Sequence, residues 1–263
     1  MKTDDVIQFN KFSNLNSEEI LFCKTDHLSD MVNKIASGSQ KYIVIIGNSA
    51  YSVNERDVDR LRDTGKIHKI YAVNMNSDQD IVQGLPLGIE NSTECNLSSL
   101  GYGVAWGFAK IKLEQLHERK NDPQKLIYAN FSTSTNNSRA AVRDICQQEK
   151  HIDWERPTSD PFSRGAIVHF YNQISQYKMV VSPEGMGFDC VRTWETLYLG
   201  RVPIVKTSKA MMYFVDLPII FVDEWEELRD LASIQCKYEK VKNNSREMLN
   251  FQHWKELILH ENR

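Results

Sequence analysis

The sequence predicts an α/β protein of two Rossmann-like halves, each built around a parallel sheet. Three observations carry this. Short apolar runs alternate with amphipathic stretches along the chain, the pattern of βα units. Most of these runs end in a polar or glycine-bearing turn, and in a parallel sheet such tips line the edge where ligands bind. A charged, proline-containing segment, 118–124 (ERKNDPQ), reads as a linker between a first half at 1–122 and a second at 123–263.

The elements follow in order. Residues 17–23 and 27–35 read as short helices. The first clear strand is 41–46 (KYIVII), and it runs into a polar turn holding Asn48 and Ser49. Residues 53–63 form an amphipathic helix with Val53, Val58 and Leu61 inward; 67–73 is a second strand ending at Asn74. A short third strand and its exit loop span 85–91, placing Glu90 and Asn91 at the same edge. Residues 102–117 make a helix with Val104, Phe108, Ile111 and Leu116 on one side. The second half opens with the strand 126–130, which exits into a hydroxyl- and amide-rich loop, 131–138. Asn137 or Ser138 caps the next helix, which carries Arg139 and Arg143 at i, i+4 spacing. Residues 151–164 read as a polar loop over a cleft, with Trp154 in the core, and 166–177 as a helix with His169 packed on its face.

The stretch 178–205 organises the second half. Met179 to Val181 is a buried strand, and the break at 182–187 (SPEGMG) is a loop because proline and two glycines end a strand. Asp189 is the expected N-cap of a helix with Val191, Trp194, Leu197 and Tyr198 at helical spacing, ended by Gly200. Residues 202–205 form the next strand. Beyond it lie a short helix at 208–214, a last strand at 218–222, a helix at 225–232 and a largely helical tail at 237–260. A helix N-terminus at the C-terminal edge of a parallel sheet attracts an anion. Arg192 in the first turn adds a guanidinium fork suited to a diphosphate. Glu195 lies on the same helix face, where a carboxylate can accept both hydroxyls of a ribose.

The wording of this stretch resembles the signature of the exostosin-like glycosyltransferases, family 47. The matching positions are Ser182, Pro183, Gly185, Gly187, Asp189, Arg192, Trp194, Glu195, Leu197, Gly200, Pro203, Ile204 and Val205. The match is dense over about a tenth of the chain. The resemblance implies a GT-B-like fold, two facing Rossmann-like domains with parallel sheets, and transfer of a sugar from a nucleotide donor to a glycan hydroxyl with inversion. By the same resemblance, the nucleotide is UDP, with UDP-xylose among the donors. Arg192 holds its diphosphate, Glu195 its ribose, and Arg139, with Arg143 as second choice, faces the phosphates. Ser182, Glu184, Gly185, Gly187 and Asp189 complete the nucleotide-sugar site. Many animal members carry a basic residue where this chain has Glu184, which leaves that residue's role open. Asn48, Ser49 and Asn74 are the acceptor-side candidates, and by analogy the last helix crosses back onto the first half.

Inverting transfer requires charge stabilisation for the leaving diphosphate, a base for the attacking hydroxyl, and a cleft that aligns both substrates. Fixed arginine charge meets the first need, so no metal or other cofactor is expected; Asp78-Gln79-Asp80 reads as a surface loop. Glu90 is the candidate base, with Asp57 and Asp189 behind it. No GxGxxG follows the first strand, and no HExxH, P-loop or nucleophile elbow is present, so a dinucleotide-dependent enzyme, hydrolase or kinase has no support. The rival reading is a non-catalytic nucleotide-sugar or glycan-binding protein on the same fold.

Composition bounds the setting. A net charge of −3 gives no general attraction to nucleic acid. Five cysteines without CxxC spacing suggest neither zinc nor a disulfide framework. The polar N-terminus and the lack of a long apolar run point to a cytoplasmic protein without a membrane span, like the short soluble relatives of bacteria and large DNA viruses. The sequence does not specify an oligomeric state.

Overall fold

The computed structural model describes residues 3–93, 95–96, 102–103, 105–118 and 122–261. The chain is α/β, with two parallel sheets in a Rossmann-like arrangement. The first sheet contains β1 (Ile20–Lys24), β2 (Tyr42–Gly47), β3 (Ile67–Val73) and β4 (Val82–Leu85), side by side in chain order. The second contains β5 (Lys125–Ala129), β6 (Ile152–Trp154), β7 (Tyr177–Val181), β8 (Val202–Lys206) and β9 (Ile220–Val222), in the order β6-β5-β7-β8-β9. Every strand pairing within these two sheets is parallel.

The strand centres are apolar because both faces of each sheet are covered, with charged and polar residues such as His68, Lys69 and Lys125 near the strand starts. In β2, Ile43 and Ile45 belong to one core, and Val44 and Ile46 to another, as the two-residue period of a strand requires. The first of these cores joins the two halves of the chain. Phe22, Ile45 and Tyr71 share it with Trp194, Phe214 and Trp254. The second is closed by α1 (Leu28–Ser37) and α2 (Glu55–Arg62), through Met31, Ile35, Val58 and Leu61. Around the second sheet, α4 (Ser138–Gln148) and α8 (Leu231–Val241) cover one face, through Val142, Ile145 and Ile234. α3 (Gly107–Glu118) and α5 (Arg164–Gln176) cover the other. α6 (Val191–Tyr198) and the one-turn helix α7 (Lys209–Met212) flank β8. The last helix, α9 (Phe251–Glu261), packs Trp254 and Ile258 against the first sheet, and Tyr71 Oη donates to Glu261.

Several local expectations change. Residues 17–23 are not a helix: Ile20 to Cys23 form a fully buried parallel edge strand against β2. A run buried on both faces has no amphipathic signature with which to tell strand from helix. The third strand lies earlier than the 85–91 segment expected to hold it and its exit loop: it is Val82–Leu85, and Pro86, with no N–H for a ladder, and Gly88, at φ +73, leave the rest of that segment as loop. The edge strand β6 occupies part of the segment read as loop. Residues 225–229 are 3₁₀, with α8 starting at Leu231. Val104 and residues 119–121 of the expected linker lie outside the described residues. Among the described residues, no helix is long and apolar enough to cross a membrane.

Candidate functional site

A cleft of about 1280 Å³ opens at the C-terminal tips of β5 and β6, bounded by α4, α5 and the first turn of α6. That volume suits a ligand of nucleotide-sugar size or larger. Five of the site residues named from the sequence line it: Glu90, Arg139, Arg143, Arg192 and Glu195.

Arg192 is the most exceptional of them. Its guanidinium lies 5.9 Å from the Phe131 ring and 5.8 Å from the Phe170 ring. Its Nε is buried and has no hydrogen-bond partner among the described residues. No carboxylate among the described residues pairs with it in a salt bridge. A half-buried cation without a counter-ion is costly unless a ligand supplies one. Arg139 lies nearby, 5.8 Å from the same Phe131 ring. Burial and the Arg192 charge hold the Arg139 guanidinium down at about 10. The ring shared by both cations presents negative π density to each.

Arg139 itself is tightly held. It donates to the carbonyls of Ser132 (3.0 Å), Pro183 (2.9 Å) and Glu184 (2.8 Å). Three of its five N–H groups therefore fix the loop after β7 to the loop after β5. Asn136 adds a bond to the Gly185 carbonyl at 2.9 Å. Arg143 opens onto the cleft but pairs with Asp144 at 2.6 Å. Ser138 Oγ reaches Glu184 Oε1 at 3.3 Å, while Glu184 Oε2 is buried with no partner among the described residues.

The cleft floor is a buried polar network that the sequence did not announce. Lys112 Nζ, on α3, lies 2.7 Å from Glu195 Oε1 and 2.7 Å from Glu90 Oε2. Tyr171 Oη donates to Glu195 Oε1 at 3.0 Å. Burial works against the Lys112 charge, but the Glu195 and Glu90 carboxylates outweigh it and hold the ammonium above its ordinary range. Burial, then the same two carboxylates, pushes the Tyr171 phenol well up. Glu90, the candidate base, is thus held in an ion pair rather than standing free. One signal was available: Phe108, Lys112 and Leu116 fall at i, i+4 and i+8, so the lysine interrupts an apolar stripe.

His169 was expected to be packed. It is instead half-exposed and lines the cleft, with Nε2 2.6 Å from Glu155 Oε1. Tyr128 donates to the other Glu155 oxygen at 2.5 Å. Trp154, expected in the core, packs partly buried against the core of the second sheet and also lines the cleft, meeting Phe131 edge-on at 4.9 Å.

The remaining signature residues build the loop rather than line the cleft. Ser182 bonds Thr193 at 3.0 Å and Cys190 at 3.3 Å. Asp189 does not cap α6; Cys190 precedes the helix, and no side chain closes the cap. The Asp189 carboxylate lies buried, accepting from the Trp194 indole at 2.8 Å and the Leu87 amide at 3.0 Å. Burial pushes it up to about 7 against those donors. Asp57, the other alternative base, belongs to the capping box of α2 with Asn54.

The acceptor-side candidates meet this loop. Asn74 takes left-handed backbone (φ 53), which asparagine tolerates. Its Oδ1 accepts from the Asp189 amide at 2.8 Å. A Cβ at Gly187 would sit 2.7 Å from Asn74 Nδ2 and 2.8 Å from the Ala50 carbonyl, so glycine permits this close approach. Ser49 offers its carbonyl to Asn74 at 3.4 Å, and Asn48 donates to Asn10 at 2.5 Å. Of the three, Asn74 joins the halves of the chain, Asn48 and Ser49 bond within the first half, and none lines the cleft.

No protein-family model matches the chain, and no curated protein matches it either.

Proposed function

We propose that the chain is an inverting glycosyltransferase of the exostosin-like type. It takes a sugar from a nucleoside diphosphate donor, UDP in the first instance, and passes it to a glycan hydroxyl. In this reading the two parallel sheets face one another as in GT-B enzymes, and the cleft is the donor site. The observation that carries the proposal is the guanidinium of Arg192, which has no counter-ion among the described residues and stands beside a second arginine in a cleft large enough for the donor. A diphosphate supplies the missing negative charge, and the two guanidiniums stabilise it as it leaves. Glu195, one turn along α6, is held in place by Lys112 and Tyr171 and presents its carboxylate to the donor ribose.

The base needs a free lone pair facing the acceptor hydroxyl. Glu90 shares its charge with Lys112, whereas His169 is half-exposed and oriented by Glu155. We therefore assign the proton to His169, with Glu90 positioning Lys112. The test is donor turnover followed by NMR with UDP-glucose, UDP-galactose, UDP-xylose and UDP-N-acetylglucosamine. Turnover with inverted anomeric configuration, lost in His169→Gln and kept at a tenth or more in Glu90→Gln, supports the assignment. Binding of UDP without turnover of any donor favours a non-catalytic binding protein, a reading that the Lys112 grip on Glu90 also accommodates.

A further inference from the structure

Beside the cleft stand three aromatic rings that the proposed chemistry does not use. Phe108 and Phe162 stack face to face, with centroids 4.6 Å apart and planes at 20°. Trp106 leans on Phe108 at 5.5 Å and 37°. Phe162 and Trp106 are 56% and 45% exposed, so this stack ends in solvent rather than in the core. Large aromatic surface left open on a folded chain marks a place where something binds. Arg164, bonded to Glu114 at 3.1 Å, ties the start of α5 to α3, the helix that carries Phe108.

The stack continues the cleft. Phe162 lines it directly. Phe108 has the Lys112 ammonium 5.4 Å from its ring centre, and Lys112 in turn holds Glu195 and Glu90 at the cleft floor. The rings therefore lie on the carboxylate side of the site, reached from the arginine pair through Glu195 and Lys112. Thr158, Ser159 and Glu155 line the cleft with Phe162. An aromatic face in a cleft that also offers hydroxyls and a carboxylate suits a pyranose, whose axial C–H bonds form an apolar face and whose rim is hydroxyls.

We propose that the Trp106–Phe108–Phe162 stack is the acceptor subsite and seats a pyranose ring of the glycan acceptor. This rests on the glycosyltransferase reading for the word acceptor, but the sugar-binding claim can be tested separately. Trp106 is the most exposed of the tryptophans; Trp194, Trp225 and Trp254 are buried. A sugar on the stack therefore changes the intrinsic fluorescence.

The experiment titrates the full chain, with and without saturating UDP, with cellotetraose, xylotetraose, chitotetraose and mannotetraose, reading fluorescence and heat. The expected result is binding of at least one oligosaccharide, weakened tenfold or more in Trp106→Ala/Phe162→Ala and retained in Trp106→Phe, with UDP affinity unchanged in all variants. Binding of none of the four, or equal binding by the double variant, overturns the proposal. A loss of UDP affinity in the double variant with pyrophosphate affinity unchanged also overturns it, because the stack would then seat the nucleobase. Oligosaccharide binding with no UDP binding by the wild type keeps this subsite and removes the donor reading instead.

Discussion

Replacing Arg192 with alanine separates ligand binding from folding. In the ligand-free protein the guanidinium has two opposing contributions. Contacts with the Phe131 and Phe170 rings are favourable, by about 0.5–1 kcal/mol each at partly exposed sites. The buried unpartnered Nε and the repulsion from Arg139 are unfavourable, the first by about 1–3 kcal/mol. The sum is near zero, so Arg192→Ala should melt within a few degrees of wild type. The bound state is different. Losing one partner of a desolvated charged contact costs about 2–5 kcal/mol. That corresponds to a roughly 30-fold to several-thousand-fold rise in the Kd for UDP. Arg192→Lys keeps the charge but loses the fork and should fall between. Arg139→Ala gives the contrast: it removes three bonds to loop carbonyls, so it should lower the melting temperature as well as the affinity. Calorimetric titration with UDP, paired with thermal denaturation, reads both effects. A UDP affinity within threefold of wild type in Arg192→Ala, where wild type binds, would refute the diphosphate site.

Three further perturbations probe the surrounding framework. Asp189 titrates near 7 when folded, well above the ordinary carboxylate value, so the native state binds the extra proton between about pH 4 and pH 7. Its contribution to stability is therefore greatest at low pH and lost as pH rises through 7; urea midpoints should show wild type losing about 2–3 kcal/mol relative to Asp189→Asn between pH 5 and pH 8. Equal pH slopes would contradict this. Gly187→Ala forces a methyl against Asn74 and the Ala50 carbonyl and should cost about 1–3 kcal/mol, whereas Gly185→Ala, 3.5 Å from Arg139, should be tolerated. Melting temperatures of the two variants decide. Lys112→Met leaves Glu90 and Glu195 on the cleft floor without their cation and should destabilise by about 3–5 kcal/mol at pH 7, read from urea midpoints; a midpoint equal to wild type would contradict this.

What the sequence could say about this molecule was set by how local the signal was. The strands β2, β3, β5 and β7 were legible because each is a short apolar run closed by a polar turn. β1 was not, since a strand buried on both faces shows no alternation. Within the cleft, Arg139, Arg143, Arg192 and Glu195 could be placed because helix spacing carries them. Asp189 was misread: a residue just before a helix looks like a cap, and nothing local shows that its carboxylate turns to the Trp194 indole. Asn74 and Gly187 meet across more than a hundred positions, a contact that no window reveals. Lys112, Tyr171 and the His169–Glu155 pair come together only when α3, α5 and α6 assemble around the second sheet.

The most direct test of the central claim is a thermal-shift series with uridine, UMP, UDP and pyrophosphate, each with and without EDTA. A ligand that binds only the folded chain raises its melting temperature, by about 5 °C at a hundredfold excess over Kd for a chain of this size. The diphosphate site predicts shifts with UDP and pyrophosphate, little or none with uridine, no effect of EDTA, and loss of both shifts in Arg192→Ala. No shift with either diphosphate, or a shift with uridine equal to that with UDP, would contradict it.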